Sequence, residues 1–546
     1  MKSTQKITFH ADTREKLRKG VNTLAEVVSS TLGPSGHSVI LNQDSTGLLQ
    51  ATKDGVTVAK NIKLDDPEEN VGAQMLKQAS IKTADEAGDG TTTATVLARA
   101  MYNWGLDYGL KGQHYNSVAV KKGMESALND VIEEIQDISK PVTETSYLDY
   151  VARISANGDK EVGNLVSAAL NEVGQEGAVT IEESKTGESY LDTVEGIQFK
   201  QGWKSPYFVT DNESMTAVLE DVCILFADQK LTNIKELLPM LNAVAASNKS
   251  LLIVAEDIGG EVLSTLVVNK IRAGLKVVAV KAPDFGDRRK AILEDMAILT
   301  GGTVVDKDKG MRIDKFNTEW FGTANKVVVG QDETTIIGAT GPEENIQARI
   351  EQLKKQIDET SSAYEKEVLQ GRLARFAGGV AVLYVGGHTD VELAEKKDRV
   401  DDALHATRAA LEEGICPGGG RALMYAAEKV YKETENETYN ADVLLGRKIV
   451  LEACTVPFKT ILGNVGIEKE RIEELYRDVA SQGDPWVSLN VETEEQVDML
   501  KAGVIDPTKV VRLSLRNAVS VASTMLTSEA MVVTVDQEPD APADMY

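Results

Sequence analysis

A chain of 546 residues with 59 Lys and Arg against 85 Asp and Glu carries a net charge of −26. Without a Lys/Arg cluster, such acidity disfavours nucleic acid and anionic membranes as partners and leaves any phosphate to backbone amides and a metal. Hydrophobic cores stop growing near roughly 250–300 residues, so at least two domains are expected, about three or four on length alone.

The apolar residues Leu17, Val21, Leu24 and Val28 recur at helical spacing over residues 12–32, and the pattern ends at Gly33-Pro34. Val39-Ile40-Leu41 reads as a short strand, and Val56-Thr57-Val58-Ala59 follows a turn at Lys53-Asp54-Gly55. Helical patterns occupy residues 72–83, 92–108 and 118–138, where Pro141 breaks the last, so this first region is mainly helical. The middle changes character. Buried-strand patterns at residues 251–255, 277–280 and 303–305 alternate with helical ones at 260–272 and 288–299, which predicts α/β packing with some parallel pairing. The charged stretch 343–373 reads as a solvated antiparallel helical hairpin. After Ala377-Gly378-Gly379 the chain turns helical again, over residues 391–413 and past Arg421. Joints at Glu195-Gly196 and Gly378-Gly379 bracket the α/β middle and predict a domain inserted into a helical one and free to swing. The acidic, Pro-bearing tail reads as disordered.

Cys223, Cys416 and Cys454 lie far apart, and the five histidines are scattered, so neither a disulfide framework nor a Cys/His metal centre is expected. The N-terminal segment has no apolar stretch of the signal type, and no run reaches the roughly 18 apolar residues of a membrane span; a reducing cytosol fits. Neither GxxxxGK[ST] nor GxGxxG occurs, which disfavours the familiar NTPase and dinucleotide folds.

The sharpest local signal is Gly88-Asp89-Gly90-Thr91-Thr92-Thr93 ahead of a helix. Glycines let the backbone approach a ligand, a helix N-terminus offers free N–H groups to an anion, and Asp89 is placed to hold Mg²⁺. Simple N-capping explains one Thr, but three β-branched residues at a helix start are costly, so phosphate binding is the better reading. Thr31-Leu32-Gly33-Pro34 alone is a routine helix end, and Lys53-Asp54-Gly55 alone a common turn. Gly418-Gly419-Gly420 after Pro417 has no capping rationale and favours close approach to a ligand. In the middle region, Val262, Leu263, Leu266, Val267, Val268 and Ile271 would spread over roughly 240° of a helix, more than one core face needs. The Lys235 to Val244 stretch is similarly apolar. Two readings stand: helices buried on both sides, or a greasy groove for other proteins.

TLGPSG, TKDGVTVA, AGDGTTTATVLA, VKAPDFGDRRKA, LTGGT, DALHATRAA and GICPGGG together stand in the order and spacing of the group I chaperonins, and the chain resembles that GroEL family over residues 8–531. The resemblance implies a multidomain GroEL-like fold. Its equatorial domain is mainly α-helical, its intermediate domain small and α/β, and its α/β apical domain inserted in the middle. The corresponding bounds are 1–136 equatorial, 137–194 intermediate, 195–380 apical, 381–412 intermediate, 413–531 equatorial, and 532–546 the disordered acidic tail.

It also implies an ATP-hydrolysing folding chaperone of the cytoplasm that works as a homo-oligomer of seven-membered rings with a GroES-like co-chaperonin. Non-native polypeptides are its clients, and Mg²⁺ and K⁺ its cations. Carried over by position, Thr31, Leu32, Gly33, Pro34, Lys53, Asp89, Gly90, Thr91, Thr92, Thr93, Gly419, Asn490, Val491, Glu492 and Asp506 would surround ATP. Asp89 would hold Mg²⁺, while Thr31, Lys53 and Thr92 would give oxygens to K⁺. Asp402 would orient the attacking water, with Asp54 as its partner. Trp203, Tyr207, Phe208, Leu238, Leu241, Leu263, Val267 and Val268 would form the client and co-chaperonin groove. Asp107 and Lys111 replace the usual residues of the ring–ring contact, so a single-ring form is one alternative and a passive holdase another. A small-molecule kinase or ligase on a new phosphate site is the rival from a different class; it would have no use for the greasy helices.

Overall fold

The computed structural model describes residues 3–43, 48–110, 116–156, 158–174, 177–184, 186–212, 214–360, 362–435, 438–491 and 493–536. Lys111, His114 and most of the acidic tail thus lie outside the described residues. Two compact units emerge: residues 1–167 with 386–546, and residues 168–385.

The first unit is built on long helices. His10–Ser29 buries the stripe Leu17, Val21, Leu24, Ala25 and Val28 against Pro67–Ala87, whose start is set by Pro67 in the first turn and by the Asp66 carboxylate, which accepts from Glu68 N and Glu69 N. These two helices approach so closely that a Cβ on Gly20 would stand 1.8 Å from the Glu69 carbonyl oxygen. Thr91–Leu110, Ser117–Ile138, Ala441–Ala453 and Thr508–Thr527 complete the shared core. Ser3–Phe9 pairs antiparallel with Ala530–Asp536, joining the two ends of the described chain. Val39–Gln43 does form a strand, in a hairpin with Leu48–Thr52. Residues 55–61, despite two valines and a threonine, are helical because the Asp54 carboxylate caps them through Val56 N and Thr57 N.

The second unit carries a seven-stranded mixed sheet in the order Gly196–Phe199, Thr334–Ala339, Gly322–Val329, Ala217–Leu231, Ser250–Ile258, Val277–Lys281, with Val304–Val305 added to Ala217–Leu231. The last three strands of that order run parallel, as the strand–helix alternation predicts, and the helices Ile234–Ser247 and Gly260–Ala273 connect them. A smaller sheet places Val380–Val385 between Ala178–Glu183 and Tyr190–Val194. The charged stretch is indeed two helices, Glu343–Glu359 and Ala363–Ala377. Both glycine joints, Glu195-Gly196 and Gly378-Gly379, lie within this unit, where Ala178, Val380 and Val382 of the small sheet share a cluster with Ile337 of the large one.

Among the described residues no helix is long and apolar enough to cross a membrane. The three cysteines are free and buried, and burial pushes the Cys454 thiol up to about 12.

Candidate functional site

The first unit holds a cavity of about 540 Å³, within the usual range for small-molecule sites. Its floor is the Gly88–Thr93 segment. Pro67–Ala87 ends at Gly88 in the left-handed conformation (φ 73°), Gly90 repeats it (φ 81°), and Thr91–Leu110 starts at once. Glycine is required at 90: a Cβ there would stand 2.4 Å from Ser514 Oγ. The first-turn N–H groups of Thr91, Thr92 and Thr93 have no intrahelical acceptor and line the cavity, which is the local chemistry of an anion site.

The turn Thr31 to Pro34 forms one wall. Asn464 Nδ2 donates to the carbonyls of Ser29 (2.9 Å) and Leu32 (2.8 Å) and pins it, while Thr31 Oγ1 lies 3.2 Å from Thr92 Oγ1. Lys53 and Asp54 border the same space. Opposite, Gly419 (φ 63°) and Gly420 (φ 78°) lead into Arg421–Thr434, and Asp506 stands on a strand paired with Ile415–Pro417. Asn490 and Val491 contribute from the hairpin of Val487–Asn490 with Glu495–Asp498. Asp402 enters from the helix Asp390–Glu413. The structure therefore collects around one cavity Thr31, Leu32, Gly33, Pro34, Lys53, Asp54, Asp89 to Thr93, Asp402, Gly419, Asn490, Val491 and Asp506, segments up to 475 residues apart in sequence (506 − 31). Glu492 lies outside the described residues.

The electrostatics are those of carboxylates short of a counter-ion. Burial, then the charge of Asp54, raises the Asp89 carboxyl, although Ser155 Oγ donates to it at 2.7 Å. Burial, followed by the charges of Asp89 and Asp54, raises Asp402 well above the ordinary carboxylate range. Asp506 is pushed up to about 7 by burial and by Asp89, and only the Gly419 N–H opposes the shift. A cation would reverse this balance. Among the described residues no three His, Cys, Asp or Glu side chains could hold a metal ion together. Asp89, a carboxylate beside the first-turn N–H groups of Thr91 to Thr93, is an oxygen donor of the kind that Mg²⁺ takes together with phosphate and water.

Sequence reasoning missed Ser155, which holds Asp89, and Asp398, which lines the cavity one turn before Asp402. The spacing of four between Asp398 and Asp402 was the available signal for the second.

In the second unit the expected groove is only partly at the surface. Tyr207 (67%), Leu238 (46%) and Val268 (45%) are exposed, with Ile271 (65%) beside Val268, while Trp203, Leu263 and Val267 are half-buried. Phe208 and Leu241 are corrections: both are buried in the core of the large sheet. Leu237, Leu241 and Val244 share the inner face of Ile234–Ser247 by their spacing of four and three, which leaves Leu238 outside. Phe208 is held inward as its carbonyl and that of Val209 accept from Lys270 Nζ.

The family model for TCP-1/cpn60 chaperonins matches residues 24–536. The fold is similar to the crystal structure of the chaperonin gp146 from the bacteriophage EL 2 (Pseudomonas aeruginosa), solved in the presence of ATP-BeFx. The TM-score is 0.70 at 21% identity, over 97% of this chain and 99% of that one. The helical unit with its α/β insertion is the GroEL-like multidomain fold expected from the sequence. With a family match across nearly its whole length, this chain belongs to the TCP-1/cpn60 chaperonin family.

Proposed function

We propose that the chain is an ATP-dependent chaperonin of the group I type, which captures non-native polypeptides on its second unit and hydrolyses ATP in its first. The observation that carries this reading is the cavity into which the Thr31 turn, the Gly88–Thr93 segment, the glycine loop and Asp402 converge. The domain bounds 1–136, 137–194, 195–380, 381–412 and 413–531 belong to the same proposal. So do its cytoplasmic place, the seven-membered ring and a GroES-like co-chaperonin.

Backbone N–H groups of Thr91 to Thr93 receive the terminal phosphates, and Asn490, Val491 and Asp506 flank the nucleoside. Mg²⁺ at Asp89 would neutralise charge building on the phosphate oxygens, and K⁺ would sit by the oxygens of Thr31, Lys53 and Thr92. Asp402 accepts a hydrogen bond from the attacking water and aims it at phosphorus, which is catalysis by positioning and charge. The exposed apolar side chains Tyr207, Leu238, Val268 and Ile271, on or beside the helices Ile234–Ser247 and Gly260–Ala273, support client capture. They also argue against a small-molecule kinase or ligase, and the free Asp402 carboxylate against a passive holdase. One observation favours a single-ring form: Asp107, at the position of the ring–ring contact, is engaged by Arg18 of its own chain at 2.9 Å.

Asp402→Ala should leave ATP binding near normal and cut hydrolysis by about 100-fold or more, read by titration and phosphate release; unchanged turnover removes the residue from the mechanism. Leu238→Glu should abolish capture of a denatured client in a light-scattering assay while sparing ATPase activity. Electron microscopy of the purified chain with and without ATP tests the ring.

A further inference from the structure

Asp398 lies four residues before Asp402 on Asp390–Glu413, so the two carboxylates share a helical face one turn apart, and both line the cavity. Around them, other acidic side chains are engaged. Both oxygens of Asp54 accept backbone N–H groups, from Val56 (3.1 Å) and Thr57 (2.8 Å), as the cap of Gly55–Asn61. Asp89 accepts from Ser155, and Glu395 and Asp159 bind Arg399. The Asp398 side chain is half-buried, and its carboxylate receives no hydrogen bond or ion pair from the described residues. Drawing a carboxylate even partly out of water without a partner costs stability and returns no structure, so its place on the cavity wall calls for another account.

We propose that Asp398 is a further catalytic carboxylate of this site, beside Asp402 and Asp54, taking the proton from the water that Asp402 aligns. The inference rests on the ATP reading above. In the step, the water oxygen bonds to the terminal phosphorus, the bond from that phosphorus to the bridging oxygen breaks, and ADP leaves with the electron pair. The water proton passes to Asp398 Oδ and then to solvent, so the products are ADP, inorganic phosphate and a proton. Asp54, whose oxygens also cap Gly55–Asn61, keeps its place as the partner of Asp402, on which its charge acts.

The charged groups acting on Asp398 are Asp54, from the turn before Gly55–Asn61, and Glu395, Lys397 and Asp401 from its own helix, while Arg153 of Thr145–Ser155 lines the same cavity. Burial first, then the charge of Asp54, raises its carboxyl to about 6. It is therefore ionised at neutral pH and basic enough to accept a proton, the matching that general bases use.

The test compares native chain, Asp398→Asn, Asp398→Glu and Asp402→Ala, each at full length with MgATP. Asp398→Asn should lower kcat by about 100-fold with KM and ADP affinity within about threefold. The native fall in kcat below about pH 6 should flatten in this variant, and Asp398→Glu, which keeps the carboxylate, should recover part of the rate. Unfolding midpoints no lower than native show that the loss is not one of folding. Turnover of Asp398→Asn within about threefold of native, or a loss that leaves the pH profile unchanged, overturns the proposal. If Asp402→Ala is dead while Asp398→Asn is not, only this proposal falls; a native chain that binds no adenine nucleotide removes both readings.

Discussion

Asp398, Asp402, Asp506 and Asp89 are each drawn toward protonation by burial, and the direction has a thermodynamic consequence. For Asp398 the folded carboxyl titrates at about 6 against an ordinary 3.8, so the folded state binds the proton more tightly than the unfolded chain. The ionised group therefore costs stability above about pH 6, and the cost shrinks as pH falls through 6 toward 4. Asp398→Asn should stabilise the protein at pH 7.5 by about 1–2 kcal/mol after discounting for partial exposure, with the gain vanishing near pH 4; denaturant midpoints across that range check the sign. Gly90→Ala makes a second residue-scale prediction. Its φ of 81° and the 2.4 Å approach to Ser514 Oγ leave no room for a Cβ. The substitution should cost about 1–3 kcal/mol and weaken ATP binding, seen by calorimetry.

Among elements, the helical hairpin Glu343–Glu359 and Ala363–Ala377 is tied to Gly286–Thr300 through one buried carboxylate. Asp295, 3% exposed, accepts from Arg349 Nε at 2.8 Å and Arg372 Nη2 at 2.7 Å. Removing it leaves two guanidinium groups with little solvent, so Asp295→Ala should destabilise by about 3–5 kcal/mol. Faster hydrogen exchange across residues 343–377 would show it; unchanged exchange would mean that apolar packing at Ile346, Leu353 and Ile357 suffices. Element by element, most of this fold was legible from periodicity. The exceptions have local causes. Gly55–Asn61 follows its cap, with valines that a strand would also accept. Leu241 and Leu238 are neighbours of the same type, and only the sheet beneath them decides which is covered.

For the whole molecule, the paired strands at its two ends leave Ile7 (52%), Phe9 (55%) and Val532 (57%) outward, with Met531 and Val533 inward, and Ile40 (71%) is bare on the nearby-in-sequence hairpin. Apolar side chains alternating onto an open face are what an assembling ring would cover. Phe9→Asp with Ile40→Asp should reduce the assembled fraction, read by sedimentation, with little change in helix content; intact oligomers would place the contact elsewhere.

Helical stripes, the strand–helix alternation of the middle, the acidic charge and the glycine–threonine motifs were determined by the sequence alone, because each depends on neighbours within a turn or a tripeptide. The motifs bring Asp89, Asp402 and Asp506 to one nucleotide site by resemblance, but not Asp398, and the mutual repulsion of these carboxylates arises only once helices distant in sequence are packed. Tertiary structure also decided that Asp398 faces the same cavity as Asp89 and Asp506, whereas the Asp54 cap reaches only two and three residues along the chain and is a local feature.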